Sequence, residues 1–389
     1  MMHVISDLTE LIHGTSELET TARGLRPHRL PLEVRKRFPD PQLLMVEAQP
    51  SGVRLRFRSE ANSIELVLQP TRVGYRGAAR PRGAIDLFVD GEFKARDILD
   101  GGDLIEADVI DGSTKFHSGE NHLCRFEGLP AGDKDLELWL PHNESIELVE
   151  LRTDAPVHAI RDERPRWLHH GSSISHGSNA SGPSEIWPAI AAQHARLALQ
   201  NLGFGGSALL DPFVARVIRD SAADLISLKI GINIVNLDSM RLRAFVPAVH
   251  GFLDTIREGH PQTPLLLISP ILCPIHEDVP GPGSIDIASL GTNALKFIAT
   301  GDPSDVSRGK LNLKVIRREL ESIVEKRADP NLHYLDGTAL YGEQDAVDLP
   351  LPDNLHPDTR AHRRIGERFA EYAFAEGGPF SGTPRTSAS

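Results

Sequence analysis

Serine, aspartate and histidine, the residue types of a catalytic triad, occur in this chain in that order. The serines lie in a Gly/Ser-rich turn at residues 171–177, which follows a segment of strand character at 167–170. Far downstream, Asp353 and His356 lie in one loop bounded by prolines. A serine hydroxyl is a poor nucleophile unless a base takes its proton, and the base needs a carboxylate to orient it. The pattern therefore indicates nucleophilic catalysis, although a Gly/Ser turn or an Asp-x-x-His pair alone is usually structural.

Two further polar segments lie between these candidates. Residues 201–207 follow an apolar stretch, and their glycines leave the backbone free to approach a ligand. A second apolar run at 225–230 is followed closely by Asn233. Polar groups at the ends of apolar runs are typical of loops at the carboxyl edge of a parallel sheet, where α/β proteins bind their ligands. We therefore expect the four segments to lie at one edge of a parallel sheet.

Together these segments resemble the sequence blocks of the GDSL/SGNH hydrolase superfamily, which is named for its Ser, Gly, Asn and His. The blocks occur in the expected order within residues 165–375. The resemblance implies that Ser173 is the nucleophile and that Asp353 and His356 complete the triad. A single block is a weak indication, whereas the ordered set is a specific one.

The resemblance also implies how the site stabilises negative charge. The backbone N–H groups of Ser173 and Gly206, together with the Asn233 side chain, would form an oxyanion hole. Substrate contacts are predicted for three residues near these blocks: His176, Ile232 and His276. Packing is the alternative for His176, and a plain loop is an equally good interpretation for His276.

Two positions depart from the family pattern. Ser172 stands where the family name has Asp, and Ile234 stands where an Asp often follows the third block. Neither position is one of the four that give the superfamily its name. The chain resembles a two-domain subgroup with an N-terminal β-sandwich, a layout shared by a salicylyl acyltransferase of tetracycline biosynthesis. The Gly-x-Ser-x-Gly motif of α/β-hydrolases does not occur in the sequence.

The character of the chain changes near residue 166. Between 50 and 152, short alternating segments separated by turn residues predict an antiparallel sandwich. Beyond 166, apolar segments of strand length alternate with amphipathic helical patterns, which predicts a parallel sheet covered by helices. With the family resemblance, we expect a jelly-roll-like β-sandwich domain at 1–160 and an SGNH-type, flavodoxin-like three-layer α/β/α catalytic domain at 161–377. The Ser/Pro/Gly-rich residues 378–389 are predicted to form a disordered tail.

Composition limits the partners of this protein. The formal net charge of −12 disfavours nucleic acid or an anionic membrane as the main partner. Cys124 and Cys273 fall in different predicted domains and indicate free thiols, and no spacing suggests a metal or a cofactor. From the sequence we expect neither a secretory signal nor a membrane-spanning helix, which favours a cytoplasmic protein. The expected partners are a small-molecule acyl ester or acyl donor and, for transfer, an acceptor alcohol.

Three functions are compatible with these expectations. An esterase or O-deacylase is expected first, because most members of the superfamily are hydrolases. An O-acyltransferase that acts on a natural product such as a polyketide comes second, because the two-domain layout is shared with an acyltransferase. A non-catalytic carbohydrate-binding protein comes third, and the complete set of triad residues argues against it.

Overall fold

The computed structural model describes residues 2–76, 80–108, 111–289, 292 and 295–382. The chain divides into two compact units. The first comprises Met1–Glu163 with Ser181–Glu185, and the second comprises Arg164–Ala180 with Ile186–Ser389. The break between the units follows Glu163.

The first unit consists mainly of strands. They are β1 (His3–Ile5), β2 (Ile12–His13), β3 (Glu17–Thr20), β4 (Leu25–His28), β5 (Arg54–Ser59), β6 (Ser63–Tyr75), β7 (Ala84–Val89), β8 (Glu92–Ile98), β9 (Asp103–Ala107), β10 (Thr114–His117), β11 (His122–Glu127), β12 (Lys134–Trp139), β13 (Ser145–Thr153) and β14 (His158–Ala159). Two short helices lie between β4 and β5: α1 (Leu32–Arg37) and α2 (Pro41–Glu47).

These strands form two sheets. One has the order β10-β9-β6-β13-β4-β3, with β1 on β13 and β11 on β6, and the other has the order β14-β5-β12-β7-β8, with β2 on β5. Among the described strands of this unit, all neighbours are antiparallel except β6 and β9. The two sheets therefore contain one parallel pair, where the sequence pattern predicts antiparallel strands throughout. The chain passes through β7 and β8 of the other sheet before β9 returns beside β6.

Alternation of apolar and polar side chains builds the core of the first unit. The residues of β11 alternate strictly between buried and exposed, as in a strand with one face on a core. Leu55, Leu66 and Leu138 have no exposed surface and belong to one cluster. Asp90 and Gly91 have φ angles of 51° and 81°, and they form the tight turn of the β7–β8 hairpin that the Asp-Gly pair predicts.

A charged cluster explains why Ser181–Glu185 belongs to the first unit. The Asp86 carboxylate is buried, and it accepts from Arg96 Nε at 2.6 Å and from Ser184 Oγ at 2.6 Å. Arg96 also pairs with Glu185 at 2.7 Å. A buried carboxylate is tolerated only when it is paired and hydrogen-bonded, and these partners meet that requirement.

The second unit alternates strands and helices. Its strands are β15 (Arg166–Gly171), β16 (Ala198–Gly203), β17 (Leu225–Lys229), β18 (Leu265–Ile268), β19 (Gly283–Ile285), β20 (Phe297–Ala299) and β21 (Leu332–Leu335). Its helices are α3 (Ser173–His176), α4 (Trp187–Ala195), α5 (Pro212–Asp220), α6 (Ile232–Asn236), α7 (Leu242–Gly259), α8 (Leu313–Arg327), α9 (Glu343–Asp348) and α10 (Thr359–Phe374). Of the helices that the structure describes, none combines the length and apolarity needed to cross a membrane.

A five-stranded parallel sheet with the order β16-β15-β17-β18-β21 forms the centre of this unit. Every residue of β17 and β18 is buried, as expected for parallel strands covered on both faces. Trp167 stacks on Phe369 of α10, with ring centroids 5.0 Å apart, and His170 stacks on Phe252 of α7 at 5.8 Å. Side chains three residues apart on a strand point to opposite faces, so helices cover both. The predicted α/β class, with a parallel sheet and antiparallel sheets, is confirmed.

Part of the tail predicted to be disordered at 378–389 is folded. Phe380 is buried, its N–H donates to the Ala373 carbonyl oxygen at 2.8 Å, and its ring lies 5.6 Å from that of Phe374. The Phe380 side chain thus packs this segment against α10, although the residues around it are rich in Gly and Ser. Residues 383–389 lie outside the described part of the chain.

Candidate active site

The Gly/Ser-rich turn begins helix α3 directly after β15. Ser172 caps this helix, because its Oγ accepts from the Ile174 N–H at 3.3 Å. Ser173 is the first helical residue and is 9% exposed, whereas Ser172 and Ser175 are fully buried. Gly171 has no room for a side chain, since a Cβ atom would lie 2.3 Å from Ser175 Oγ. Of the serines in this turn, Ser173 is therefore the one that solvent reaches.

Hydrogen bonds between buried groups support the turn that carries Ser173. His169 lies between two hydroxyl groups, with Nε2 2.7 Å from Ser175 Oγ and Nδ1 2.7 Å from Ser227 Oγ. Asn201 of β16 donates from Nδ2 to the Ser175 carbonyl oxygen at 2.9 Å. Burial lowers the pKa of His169 well below its usual value, so the imidazole stays neutral at physiological pH. The backbone at the candidate nucleophile is thus supported by groups beneath the surface.

Asp353, His356 and Ser173 lie in one continuous chain of hydrogen bonds. His356 Nε2 is 2.9 Å from Ser173 Oγ, and His356 Nδ1 is 2.7 Å from Asp353 Oδ2. The other carboxylate oxygen, Oδ1, accepts from the backbone N–H groups of Leu355 at 2.9 Å and His356 at 2.7 Å. Burial acts to raise the pKa of Asp353, but the hydrogen bonds from His356 and Leu355 hold it below its usual value. Asp353 is therefore a carboxylate at neutral pH.

The loop that carries this pair is fastened to β20. The Phe297 N–H donates to the Asp353 carbonyl oxygen at 2.9 Å, and Asn354 Nδ2 donates to the Phe297 carbonyl oxygen at 3.2 Å. The Phe297 ring meets the His356 imidazole edge-on, with 5.6 Å between centroids. Asn354 has a φ angle of 67°, a left-handed conformation that asparagine adopts more readily than most residues. Backbone and ring contacts together hold the imidazole in place.

Gly206 and Asn233 follow the two strands that flank β15. Gly171, the last residue of β15, is level with the last residues of β16 and β17, so all three loops leave the sheet at the same edge. The Asn233 side chain is buried, and its Oδ1 accepts from the Ala208 N–H at 3.1 Å. This bond identifies Nδ2 as the end of the amide that can donate to another group. Gly206 has a φ angle of 73°, which glycine adopts without strain.

The residues predicted to contact substrate are all largely buried. His176 is 5% exposed, Ile232 is 3% exposed, and His276 has no exposed surface. His276 Nδ1 lies 3.1 Å from the Val279 carbonyl oxygen, and burial lowers the pKa of the imidazole. The structure therefore gives His276 a packing role in the loop after β18, with no surface for a substrate. Contacts from His176 and Ile232 stay predictions.

A further polar side chain reaches the carboxylate and was not predicted. Asn179, two residues beyond Gly177, donates from Nδ2 to Asp353 Oδ2 at 3.0 Å. Nothing in the local sequence distinguishes this asparagine from an ordinary turn residue. The contact becomes apparent only in the folded chain, where Asn179 lies beside a partner 174 positions away in the sequence.

Two family models match this chain. Residues 143–273 match the GDSL-like lipase/acylhydrolase family, and residues 11–149 match the SsfX3 N-terminal domain. The matches indicate an enzyme similar to the GDSL-like lipase/acylhydrolase family. The matched part of this GDSL-like enzyme contains Ser173, Gly206 and Asn233. No curated protein sequence matches the enzyme.

Solved structures resemble the GDSL-like enzyme over most of its length. The salicylyl-acyltransferase SsfX3 from a tetracycline biosynthetic pathway is 29% identical, with a TM-score of 0.78 over 94% of this chain and 95% of that one. A putative GDSL-like lipase from Bacteroides ovatus is 17% identical, with a TM-score of 0.69 over 97% and 98% of the two chains. A family two carbohydrate esterase from Clostridium thermocellum is 12% identical, with a TM-score of 0.58 over 95% and 100%. The lipase and the carbohydrate esterase are similar to this chain in fold alone.

Proposed function

We propose that this GDSL-like enzyme cleaves a carboxylic ester of a small molecule or sugar through an acyl–serine intermediate. The observation that carries the proposal is the hydrogen-bonded chain from Asp353 through His356 to Ser173. Each distance in it lies within normal hydrogen-bond range, and its first member is ionised at neutral pH. Such a chain supplies the base and the orienting group that a serine nucleophile requires.

In the proposed mechanism, proton transfer accompanies attack. Ser173 Oγ attacks the ester carbonyl carbon while His356 Nε2 takes its proton, and Asp353 holds the Nδ1–H tautomer. The tetrahedral intermediate collapses when His356 returns that proton to the leaving alcohol, which leaves an acyl group on Ser173. Water then attacks the acyl carbon with the same base, and the released acid restores the serine.

We assign the oxyanion hole to the Ser173 and Gly206 N–H groups and to Asn233 Nδ2. Support comes from the common sheet edge on which their loops begin and from the hydrogen bond that directs the Asn233 amide. Loss of one such donor costs about 10²–10³ in kcat. Asn233→Ala is accordingly expected to lower kcat by that factor while leaving KM close to the wild-type value.

A second candidate is transfer of the acyl group to a hydroxyl of a natural product such as a polyketide. The likeness to SsfX3 favours it, because that protein is a salicylyl-acyltransferase and is 29% identical over most of both chains. The chemistry differs only in the last step, where an alcohol replaces water. The resemblance to carbohydrate esterases is one of fold and favours neither acceptor.

Product analysis separates these two candidates. The purified full chain is incubated with aryl and acetyl esters as acyl donors, with and without a panel of sugar, phenol and polyketide alcohols, and products are identified by mass. An esterase releases the free acid at a rate independent of the alcohol, whereas a transferase forms the new ester. Ser173→Ala is the control. Turnover that survives in this variant would contradict both candidates.

We also propose the finer description of the architecture. The strand order of the parallel sheet matches the flavodoxin-like order 2-1-3-4-5, which supports a three-layer α/β/α catalytic domain at about 161–377. The two packed sheets of the first unit support a jelly-roll-like sandwich at about 1–160.

A further inference from the structure

We propose that Asn179 is a positioning residue of the triad that acts through Asp353, an inference that rests on the proposed function. Its Nδ2 donates to Asp353 Oδ2 at 3.0 Å, and the same oxygen accepts from His356 Nδ1 at 2.7 Å. The amide and the imidazole therefore share one carboxylate oxygen. Asn179 touches neither the nucleophile hydroxyl nor a reacting atom, so any influence it has on catalysis passes through the carboxylate.

The contacts of Asp353 show what the amide adds. Oδ1 is held by two backbone N–H groups of its own loop. Among the described residues, the side chains of His356 and Asn179 are the hydrogen-bond partners of Oδ2. The carboxylate is 15% exposed, so water can compete for Oδ2. Asn179 occupies the hydrogen-bonding capacity that His356 leaves on this oxygen. This keeps the plane of the carboxylate aligned with the Nδ1–H of the imidazole.

The backbone fixes Asn179 to the nucleophile turn. The Ser178 N–H donates to the Ser173 carbonyl oxygen at 3.0 Å, and the Ala180 N–H donates to the Gly177 carbonyl oxygen at 3.0 Å. His362 Nε2 lies 2.9 Å from the Ser178 carbonyl oxygen. The amide is therefore carried by the same segment as Ser173 Oγ. It provides a second link between the nucleophile turn and the Asp353 loop, beside the hydrogen bond from Ser173 to His356.

The conformation of Asn179 determines which variant is informative. Its φ angle is 66°, in the left-handed region where a β-carbon is tolerated poorly except in residues such as asparagine. Asn179→Ala would add backbone strain to the loss of the amide. Asn179→Gly keeps the backbone conformation and removes only the side chain. Arg196→Gly is a matched control, because Arg196 is an exposed left-handed residue (φ 54°) that precedes β16 at the opposite end of the sheet.

The first measurement is steady-state kinetics on an aryl ester. Asn179→Gly is expected to lower kcat about five- to twentyfold with KM within about twofold of wild type, since a hydrogen bond to a charged group is lost. Arg196→Gly should match wild type. In the Asp353→Ala background, Asn179→Gly should cause no further loss, because the residue through which it acts is gone.

A pH profile supplies a readout that a purely structural role would not move. Asn179→Asp places a second negative charge beside Asp353 Oδ2, which favours the charged imidazolium and shifts the acidic limb of kcat/KM to higher pH by about half a unit or more.

Three results would each overturn the proposal. They are an unchanged kcat in Asn179→Gly, an equal loss of kcat with and without Asp353, and an unshifted acidic limb of the pH profile in Asn179→Asp. If turnover depends on Ser173 while these variants behave as wild type, only the role of Asn179 fails. If turnover survives in Ser173→Ala, the proposed function itself fails.

Discussion

Ser173 has two serine neighbours in the same turn, and their surroundings predict which one reacts. Ser172 is fully buried and caps α3, and Ser175 is fully buried and bonded to His169. A sulfonyl fluoride or organophosphate should therefore add a single mass to the peptide that contains these residues, at Ser173. Tandem mass spectrometry locates the adduct. A label on Ser172 would contradict the assignment, and Ser173→Ala is the control that should abolish labelling.

Variants of His356 and Asp353 should distinguish the loss of proton transfer from the loss of imidazole orientation. His356→Ala removes the base and is expected to lower kcat by about 10⁶, whereas Asp353→Ala removes the orienting group and is expected to cost about 10⁴. The smaller loss follows because the imidazole of the Asp353 variant can still accept the proton. Unchanged turnover in His356→Ala would end the serine-hydrolase interpretation.

The assignment of Ser173, Asp353 and His356 rests on the resemblance of the ordered sequence blocks, and the structure joins these three side chains by hydrogen bonds. The contact of Asn179 could not be predicted, since an amide in a turn has many possible partners. The burial of His276 was also beyond a sequence pattern. A polar residue after a strand can line a pocket or point inward. His276 points inward, with its Nδ1 beside the carbonyl oxygen of Val279.

The contact between α4 and α10 depends on a glycine. A Cβ atom at Gly366 would lie 2.8 Å from both the Trp187 carbonyl oxygen and Ile190 Cβ. Gly366→Ala should therefore lower the free energy of unfolding by about 1–3 kcal/mol. Gly251 on α7 is the matched control, because its Cβ would meet nothing within 4 Å, and Gly251→Ala should raise stability by up to about 1 kcal/mol. Urea unfolding measures both, and equal effects would show that helix propensity alone decides.

Apolar runs and helical periodicity predict the strands and long helices of the second unit, but they miss short helices and one strand pairing. The apolar runs that became β17 and β18 and the helical pattern of α7 and α10 are clear in the sequence. Helices α1 and α2 span six and seven residues, too few turns to show a repeat. The parallel pairing of β6 with β9 also has no local cause, because it depends on the path of β7 and β8 through the other sheet.

At the scale of the whole molecule, buried neutral histidines predict sensitivity to acid. Burial lowers the pKa of His170 and of His362 to about 4, against about 6.5 in an unfolded chain. Between these values the unfolded chain binds more protons, so the free energy of unfolding rises with pH. The contribution is complete above about pH 6.5 and is lost as the pH falls towards 4. The two protons of His170 and His362 contribute about 2.7 kcal/mol per pH unit to the slope.

Urea unfolding of the full chain between pH 4.5 and 7 measures this slope. His362→Gln should reduce it by about one proton, whereas His194→Gln should leave it unchanged, because His194 is exposed on α4. An unaltered slope in His362→Gln would show that other groups cause the acid sensitivity.

The hydrogen bond between Ser173 and His356 spans 183 positions of the chain. A ribosome adds about 5–20 residues each second, so the serine is synthesised about 10–40 s before its base. Throughout that interval the nascent polypeptide carries a hydroxyl that nothing deprotonates. The proposed reactivity therefore arises only after His356 has been added, and synthesis interrupted before that residue leaves a fragment without the proposed base.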